Sequence, residues 1–285
     1  MNESKLFIVG SNGQLGTALR ERYPLARYGD RDELDITNRE SVEAFDWSDV
    51  EVIINAAAYT NVDGAETPEG RELAWSINAD GVANLVAVAA QHNATLVHIS
   101  SDYVFDGTKS PHREDEPFTP LSVYGASKAA GDIAVSLTPK FYLLRTTWVI
   151  GEGKNFVRTM LGLAEKGVSP TVVVDQIGRL TFTSELVRAI DHLLTTSASF
   201  GTYNVTNDGE PASWADITRT IFTLARYDNL SVTDTTTEAY FAGKEGVAPR
   251  PLQSTMDLRR LHDTGFISQD WKEDLAAYIA KEIAK

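Results

Sequence analysis

Tyr124 and Lys128 lie four residues apart in the run Tyr124-Gly125-Ala126-Ser127-Lys128. On a helix this spacing puts a phenol and an ammonium on one face, so both can enter one cleft. A free tyrosine has a pKa of about 10, too high for efficient proton exchange at neutral pH. A neighbouring cation favours the phenolate and lowers that value. Such a pair can trade a proton with a carbonyl or alcohol oxygen. Chance alone places Y-x-x-x-K on many helices, so the pair needs support from its surroundings. Ser101 gives some of that support. It follows the short apolar run 96–99, a predicted buried strand, and the carboxyl ends of parallel strands are where ligands bind. Its hydroxyl can hydrogen-bond the same reacting oxygen.

A glycine loop lies upstream. Gly10-Ser11-Asn12-Gly13-Gln14-Leu15-Gly16 joins the apolar run 6–9 to a helix predicted over 16–23. A strand-to-helix turn of this kind aims backbone N–H groups and the positive end of a helix dipole at a pyrophosphate. The spacing is G-x-x-G-x-x-G, not the dehydrogenase form G-x-G-x-x-G. Taken with the Ser, Tyr and Lys set, it points to hydride transfer with a nicotinamide dinucleotide. A second strand is expected to end over 26–30. There Asp30 can accept from the adenosine ribose, and Arg31 can pair with a 2′-phosphate. NADP(H) is favoured, with NAD(H) as the open alternative.

The elements that must position these groups alternate. Buried-strand candidates at 6–9, 52–54, 96–99 and 141–149 are separated by helical patterns at 16–23, 71–91 and 124–137. That order predicts an α/β fold, a doubly wound parallel sheet (Rossmann-like) over 1–150. Beyond 151 the order loosens: a helix at 155–166, a strand at 172–174, a helix at 184–194, a strand at 202–205, and helices at 212–226 and 269–284. The stretch 231–251 reads as loop-rich. Residues 151–285 are expected to form mainly a smaller C-terminal substrate-binding lobe, with elements near 178–206 completing the sheet.

Composition narrows the classes. The chain has 285 residues, 42% hydrophobic and 23% charged, which is ordinary globular usage. A net charge of −14 argues against a nucleic-acid partner. The absence of cysteine excludes a disulfide framework, thiolate metal sites and a cysteine nucleophile. No run approaches the roughly 18 apolar residues of a membrane span, so a cytoplasmic protein is expected. His98 reads as a packed histidine, Asp102, Asp106 and Asp115 as loop carboxylates, and no metal is expected.

Several further segments carry a resemblance. They are Leu34-Asp35-Ile36-Thr37, the stretch 55–63 (Asn55-Ala56-Ala57-Ala58-Tyr59-Thr60-Asn61-Val62-Asp63), the stretch 100–107, Val123-Tyr124-Gly125, Arg145-Thr146-Thr147-Trp148-Val149, Asn155-Phe156, Asp175-Gln176 and Arg250-Pro251. With the glycine loop they resemble the extended short-chain dehydrogenase/reductases, and within them the dTDP-4-dehydrorhamnose reductase family. The resemblance implies that Ser101, Tyr124 and Lys128 are the catalytic set. It implies cofactor contacts from Gly10, Asn12, Gly13, Gln14, Leu15 and Gly16, from Asp35 and Ile36 beside the adenine, and from Asn55, Ala56, Ala57 and Ala58. On the substrate side it implies Thr60, Val62, Ser101, Asp102, Trp148, Asn155, Gln176 and Arg250. Reasoning from residue type agrees for two of these: a Trp past a strand end offers a flat wall for a sugar face, and an Arg in a Gly/Pro-rich loop is a fork for diphosphate.

The expected reaction is NAD(P)H-dependent reduction of the C4 ketone of dTDP-4-dehydro-L-rhamnose, with Tyr124 as proton donor. The alternatives are a nucleotide-sugar 4-epimerase or 4,6-dehydratase, or a non-catalytic NADP-binding regulatory subunit. A dehydratase needs adjacent Asp and Glu after the Ser, whereas Tyr103 follows Asp102 here. Two departures from the family stand out. Leu252-Gln253-Ser254 follows Arg250-Pro251 where Asn-Ser is common. Ala18 stands where some members place a glutamate for Mg²⁺ at a dimer interface. The expected partner is a small nucleotide sugar, with a homodimer as an open option.

Overall fold

The computed structural model describes residues 1–284. Its strands, in chain order, are β1 (Leu6–Val9), β2 (Arg27–Gly29), β3 (Val52–Asn55), β4 (Thr95–Ser101), β5 (Phe141–Thr146), β6 (Val149–Ile150), β7 (Thr171–Val173), β8 (Ile177–Gly178), β9 (Thr181–Phe182), β10 (Gly201–Asn204), β11 (Ala212–Ser213) and β12 (Thr233–Thr235). The α-helices are α1 (Gln14–Arg22), α2 (Arg39–Ala44), α3 (Pro68–Trp75), α4 (Gly81–Gln91), α5 (Val123–Val135), α6 (Phe156–Glu165), α7 (Thr183–Thr195), α8 (Trp214–Leu224), α9 (Thr237–Phe241), α10 (Arg259–His262) and α11 (Trp271–Ile283).

Six strands form one parallel sheet in the order β10-β5-β4-β3-β1-β2. All four residues of β1 are buried, as expected for a strand covered on both faces. On one face Leu15 and Leu19 of α1 pack with Leu186 and Ile190 of α7. On the other, Val42 of α2 packs with Val82, Leu85 and Val88 of α4. The chain leaves β1 for β2 on one side and returns to β3 on the other, so the strand order reverses at β1. Ligands bind at the carboxyl end of such a reversal. The register pairs Val9 with Asn55 and Ser101 with Thr146, which sets these strand ends along one edge.

Three local features differ from the sequence reading. The helix expected over 71–91 is interrupted by a π turn at Ser76–Asp80, between α3 and α4. The span Pro68–Gln91 is long and apolar enough, by length and composition, to cross a membrane. In the fold, its buried residues Val82, Leu85, Val88 and Ala89 pack into the core beside the sheet. The strand expected over 141–149 breaks at Trp148, whose φ of 48° turns the chain from β5 into β6. The loop-rich stretch 231–251 contains β12 and α9.

The later residues form a second lobe built from the short pairs β6–β9, β7–β12 and β8–β11 with α6, α8 and α11. Its core includes Val157, Leu161, Ile217, Ile221, Trp271 and Leu275. β10 returns from this half to become the edge strand beside β5.

Candidate active site

Tyr124 is the second residue of α5, and the start of that helix is firmly tied. Ser122 caps it by accepting from the Gly125 N–H at 3.1 Å, and the Glu66 carboxylate accepts from the Val123 N–H at 2.9 Å. The Ser127 hydroxyl donates to the Tyr124 carbonyl at 2.8 Å and accepts from the Asn78 amide at 3.0 Å. Asn78 also exchanges two hydrogen bonds with the backbone of Tyr59, at 2.9 and 3.1 Å. The π turn thus fastens the loop after β3 to α5. A Cβ at Gly125 would lie 2.2 Å from the Tyr103 carbonyl oxygen, so only glycine lets α5 sit this close to the end of β4.

Ser101 ends β4. Its Oγ accepts from the Tyr103 N–H at 3.2 Å and donates to Asp102 Oδ1 at 3.1 Å. The Tyr124 ring meets Tyr103 edge-on at 5.4 Å. Lys128, one turn along α5, donates from Nζ to the Ile99 carbonyl at 2.7 Å and lies 3.5 Å from His98 Nε2. His98 is fully buried, and its Nδ1 accepts from the Asn55 amide at 3.0 Å. Ser101, Tyr124 and Lys128 are therefore brought together in a buried cluster.

Burial pushes the Tyr124 phenol up to about 12, and the nearby Asp102 and Asp132 charges add to that while the neighbouring Ser101 hydroxyl opposes it. Burial also pushes Lys128 down to about 8, against the pull of Asp132. Burial opposes charge on both groups, and the ammonium is turned to a backbone carbonyl. Burial thus favours the protonated form of the phenol.

The switch point between β1 and β3 opens into a cavity of ≈ 420 Å³. Its walls are Val9, Gly10, Gly13 and residues 56–58, with Leu34 and Ile36 on the apolar side and Asp30, Arg31, Asp35 and Thr37 at the rim. Gly10 has φ +74°, and a Cβ there would fall 2.5 Å from the Ala57 nitrogen. The loop backbone therefore lies against the end of β3. Gly13 precedes α1 as its N-cap and offers no side chain to cap it, which leaves first-turn N–H groups for an anion. Glycines, uncapped helix start and apolar wall together fit a dinucleotide.

Other residues of the cofactor set act from behind the cavity. Asn55 accepts from the Ala57 N–H at 3.1 Å and so shapes the wall. Leu15 is buried in the core, and Gly16 packs on Gly10. The side chain of Gln14 turns away to accept from the Gly151 N–H at 2.9 Å, and that of Asn12 accepts from Arg20 at 3.4 Å. The Asp30 carboxylate accepts from the N–H groups of Asn12 and Arg31, at 3.0 and 2.9 Å. The Arg31 guanidinium is 77% exposed and 3.7 Å from Asp35.

On the substrate side, Val62 packs in the same cluster as Tyr124, and Thr60 is exposed beside it. Trp148 stacks on Trp214 with ring centres 3.8 Å apart. Gln176 accepts from Trp214 Nε1 at 3.2 Å and donates to Thr237 at 3.0 Å. Arg250 donates to both Asp63 oxygens, at 2.8 and 2.9 Å, and lies 4.7 Å from the centre of the Phe241 ring. Gln176, Trp214 and Arg250 line a second cavity of ≈ 600 Å³ with Phe156, Tyr240 and Phe241. Asn155 stands apart: it caps α6 by accepting from the Arg158 N–H at 3.0 Å and donates to Gly151 and Tyr278, both at 2.8 Å.

Residues 4–283 match the family described as the RmlD substrate binding domain. The chain belongs to the dTDP-4-dehydrorhamnose reductase family. A dTDP-4-dehydrorhamnose reductase of Aggregatibacter actinomycetemcomitans is 38% identical to it, over 95% of this chain and 97% of that one. The crystal structure of a dTDP-4-dehydrorhamnose reductase from Clostridium acetobutylicum matches with a TM-score of 0.88 and 38% identity, over 96% of this chain and 98% of that one. One from Bacillus anthracis in complex with NADP matches with a TM-score of 0.86 and 36% identity, over 97% and 98%. Like its dTDP-4-dehydrorhamnose reductase relatives, this chain is an NAD(P)-dependent oxidoreductase of nucleotide-sugar reduction chemistry.

Within this family framework, reading the sequence left several residues of the site unassigned. Ser122 was the most accessible, since a Ser just before a helical run is an N-cap signal. Asn78, Glu66, Asp63 and Ser254 reach their partners only through the tertiary fold, and no periodicity marks them.

Proposed function

We propose that this chain reduces the C4 ketone of dTDP-4-dehydro-L-rhamnose to dTDP-L-rhamnose, with NADPH preferred over NADH. The observation that carries the reading is the burial of Tyr124 and Lys128, one turn apart on α5, with Ser101 at the carboxyl end of β4. A bound nicotinamide dinucleotide supplies the hydride. Tyr124 gives its proton to the C4 oxygen as negative charge develops there. Ser101 fixes the direction of that oxygen. Lys128 stabilises the Tyr124 oxygen once the proton has left and holds the nicotinamide ribose. Trp148 offers its ring to a face of the deoxysugar, and Gln176 and Arg250 take the nucleotide and its diphosphate.

The preference for NADPH is supported by the rim of the first cavity. Asp30 is already engaged by two backbone N–H groups, which weakens its claim on a ribose hydroxyl. Arg31 is largely exposed at the same rim and can pair with a 2′-phosphate. We place the reaction in the cytoplasm, with the nucleotide sugar as the small-molecule partner.

Turnover of dTDP-4-dehydro-L-rhamnose with NADPH or NADH is the test. One dinucleotide should be oxidised per dTDP-L-rhamnose formed, with the higher kcat/KM for NADPH. Interconversion of C4-epimeric nucleotide-sugar alcohols with no net dinucleotide oxidation would mean an epimerase. An absence of turnover with this ketone would reject the substrate assignment.

A further inference from the structure

We propose that Ser254 is a positioning residue for the reaction: its hydroxyl clamps the Asp102 carboxyl group and so decides where the hydroxyl hydrogen of Ser101 points. The inference rests on the reading of Ser101 and Tyr124 as the reacting groups.

The geometry is a short relay. Asp102 is 1% exposed. Its Oδ2 accepts from Ser254 Oγ at 2.5 Å, and its Oδ1 accepts from Ser101 Oγ at 3.1 Å. Ser101 Oγ has one hydrogen and two lone pairs. The Tyr103 N–H already occupies one lone pair. When Asp102 is ionised, the Ser101 hydrogen goes to Oδ1. That proton then points away from a bound ketone.

A proton on Asp102 reverses this. Because Ser254 donates to Oδ2, the acid proton belongs on Oδ1, where it donates to Ser101. Both lone pairs of Ser101 are then filled, and its hydrogen is free to face the substrate oxygen. Burial pushes Asp102 up to about 6, against the hydrogen bonds from Ser254 and Ser101 and the charge of His112. The other titratable neighbours are the phenols of Tyr103 and Tyr124; Arg250 and Asp63 act on Tyr103.

The clamp is built from the substrate lobe. Ser254 lies four residues after Arg250, and its N–H donates to the Ile177 carbonyl at 2.7 Å, next to Gln176. A Cβ on Gly178 would lie 3.1 Å from both Ser254 Cβ and the Trp148 ring. The segment that carries the proposed nucleotide contacts therefore also holds Asp102.

The test compares Ser254→Ala and Ser254→Thr with the unaltered enzyme. In Ser254→Ala, kcat at pH values below the alkaline limb should fall about tenfold, because the acid proton is no longer confined to Oδ1, while KM for the nucleotide sugar stays within about threefold. The alkaline limb of kcat should move to higher pH, because the carboxylate has lost a donor and holds its proton longer. Ser254→Thr keeps the hydroxyl and should restore both. Infrared titration of the protein without cofactor or substrate gives a second readout. The protonated-carboxyl band that disappears in Asp102→Asn should persist to higher pH in Ser254→Ala. An unchanged band and pH limb in Ser254→Ala would overturn the proposal. So would a threonine variant as impaired as alanine. Because the infrared titration needs no turnover, it still decides the clamp if the substrate assignment fails.

Discussion

Replacing Gly10 with alanine probes the first cavity directly. At φ +74° a side chain costs about 1–2 kcal/mol before any contact is counted. The added Cβ would also lie 2.5 Å from the nitrogen and 2.6 Å from the Cα of Ala57, both backbone atoms with no rotamer to escape by. Ala57 is itself held, since its N–H donates to Asn55 Oδ1 and Asn55 in turn donates to buried His98. Relief must therefore come from moving the glycine loop or the end of β3, and both are walls of the cavity. Affinity for NADPH is expected to fall at least about tenfold, equal to about 1.4 kcal/mol. Unfolding free energy should drop by roughly 2–4 kcal/mol. Calorimetric titration with NADPH and urea unfolding read the two effects separately. Gly162→Ala is the control: it lies in α6, a Cβ there meets nothing within 4 Å, and it should gain up to about 1 kcal/mol without changing affinity. A Gly10→Ala protein that binds NADPH as tightly as the unaltered one would refute the placement of the dinucleotide.

Two further outcomes follow from the buried charges. Lys128→Met should lose about 100-fold or more in turnover yet unfold at an equal or higher urea concentration at pH 7. The folded lysine is pushed down to about 8 from 10.5, so its charge penalises the fold most below about pH 8; the advantage of Met should shrink as pH rises towards 10.5. Arg250→Lys should raise KM for the nucleotide sugar about tenfold with little change in kcat, because the ammonium cannot keep the fork to Asp63 while facing a diphosphate. Steady-state kinetics with varied nucleotide sugar checks it.

How far the site could be read from sequence depended on the range of the interaction. The alternation of apolar runs and helical patterns marks β1, β3, β4 and α5 because burial repeats locally along the chain. The glycine loop and the Tyr124–Lys128 spacing are legible for the same reason. Asp102 was different. It looked like a loop carboxylate beside the site, and its pairing with Ser254 joins residues 152 positions apart. That the Asn155 side chain caps α6 was not marked by the segment Asn155-Phe156. The raised phenol of Tyr124 was hidden too, because desolvation depends on everything packed around a group, whereas the sequence displayed only its cationic neighbour. The π turn that carries Asn78 leaves the hydrophobic period of 71–91 almost undisturbed, so the sequence reads there as one helix.

The most direct check on the proton donor is a single-turnover measurement with Tyr124→Phe, at saturating NADPH and dTDP-4-dehydro-L-rhamnose. Removing one hydroxyl leaves the ring contact with Tyr103 in place, so binding of both ligands should persist. The rate of dinucleotide oxidation should fall by roughly two orders of magnitude or more. A rate within a few-fold of the unaltered enzyme would contradict the assignment of Tyr124.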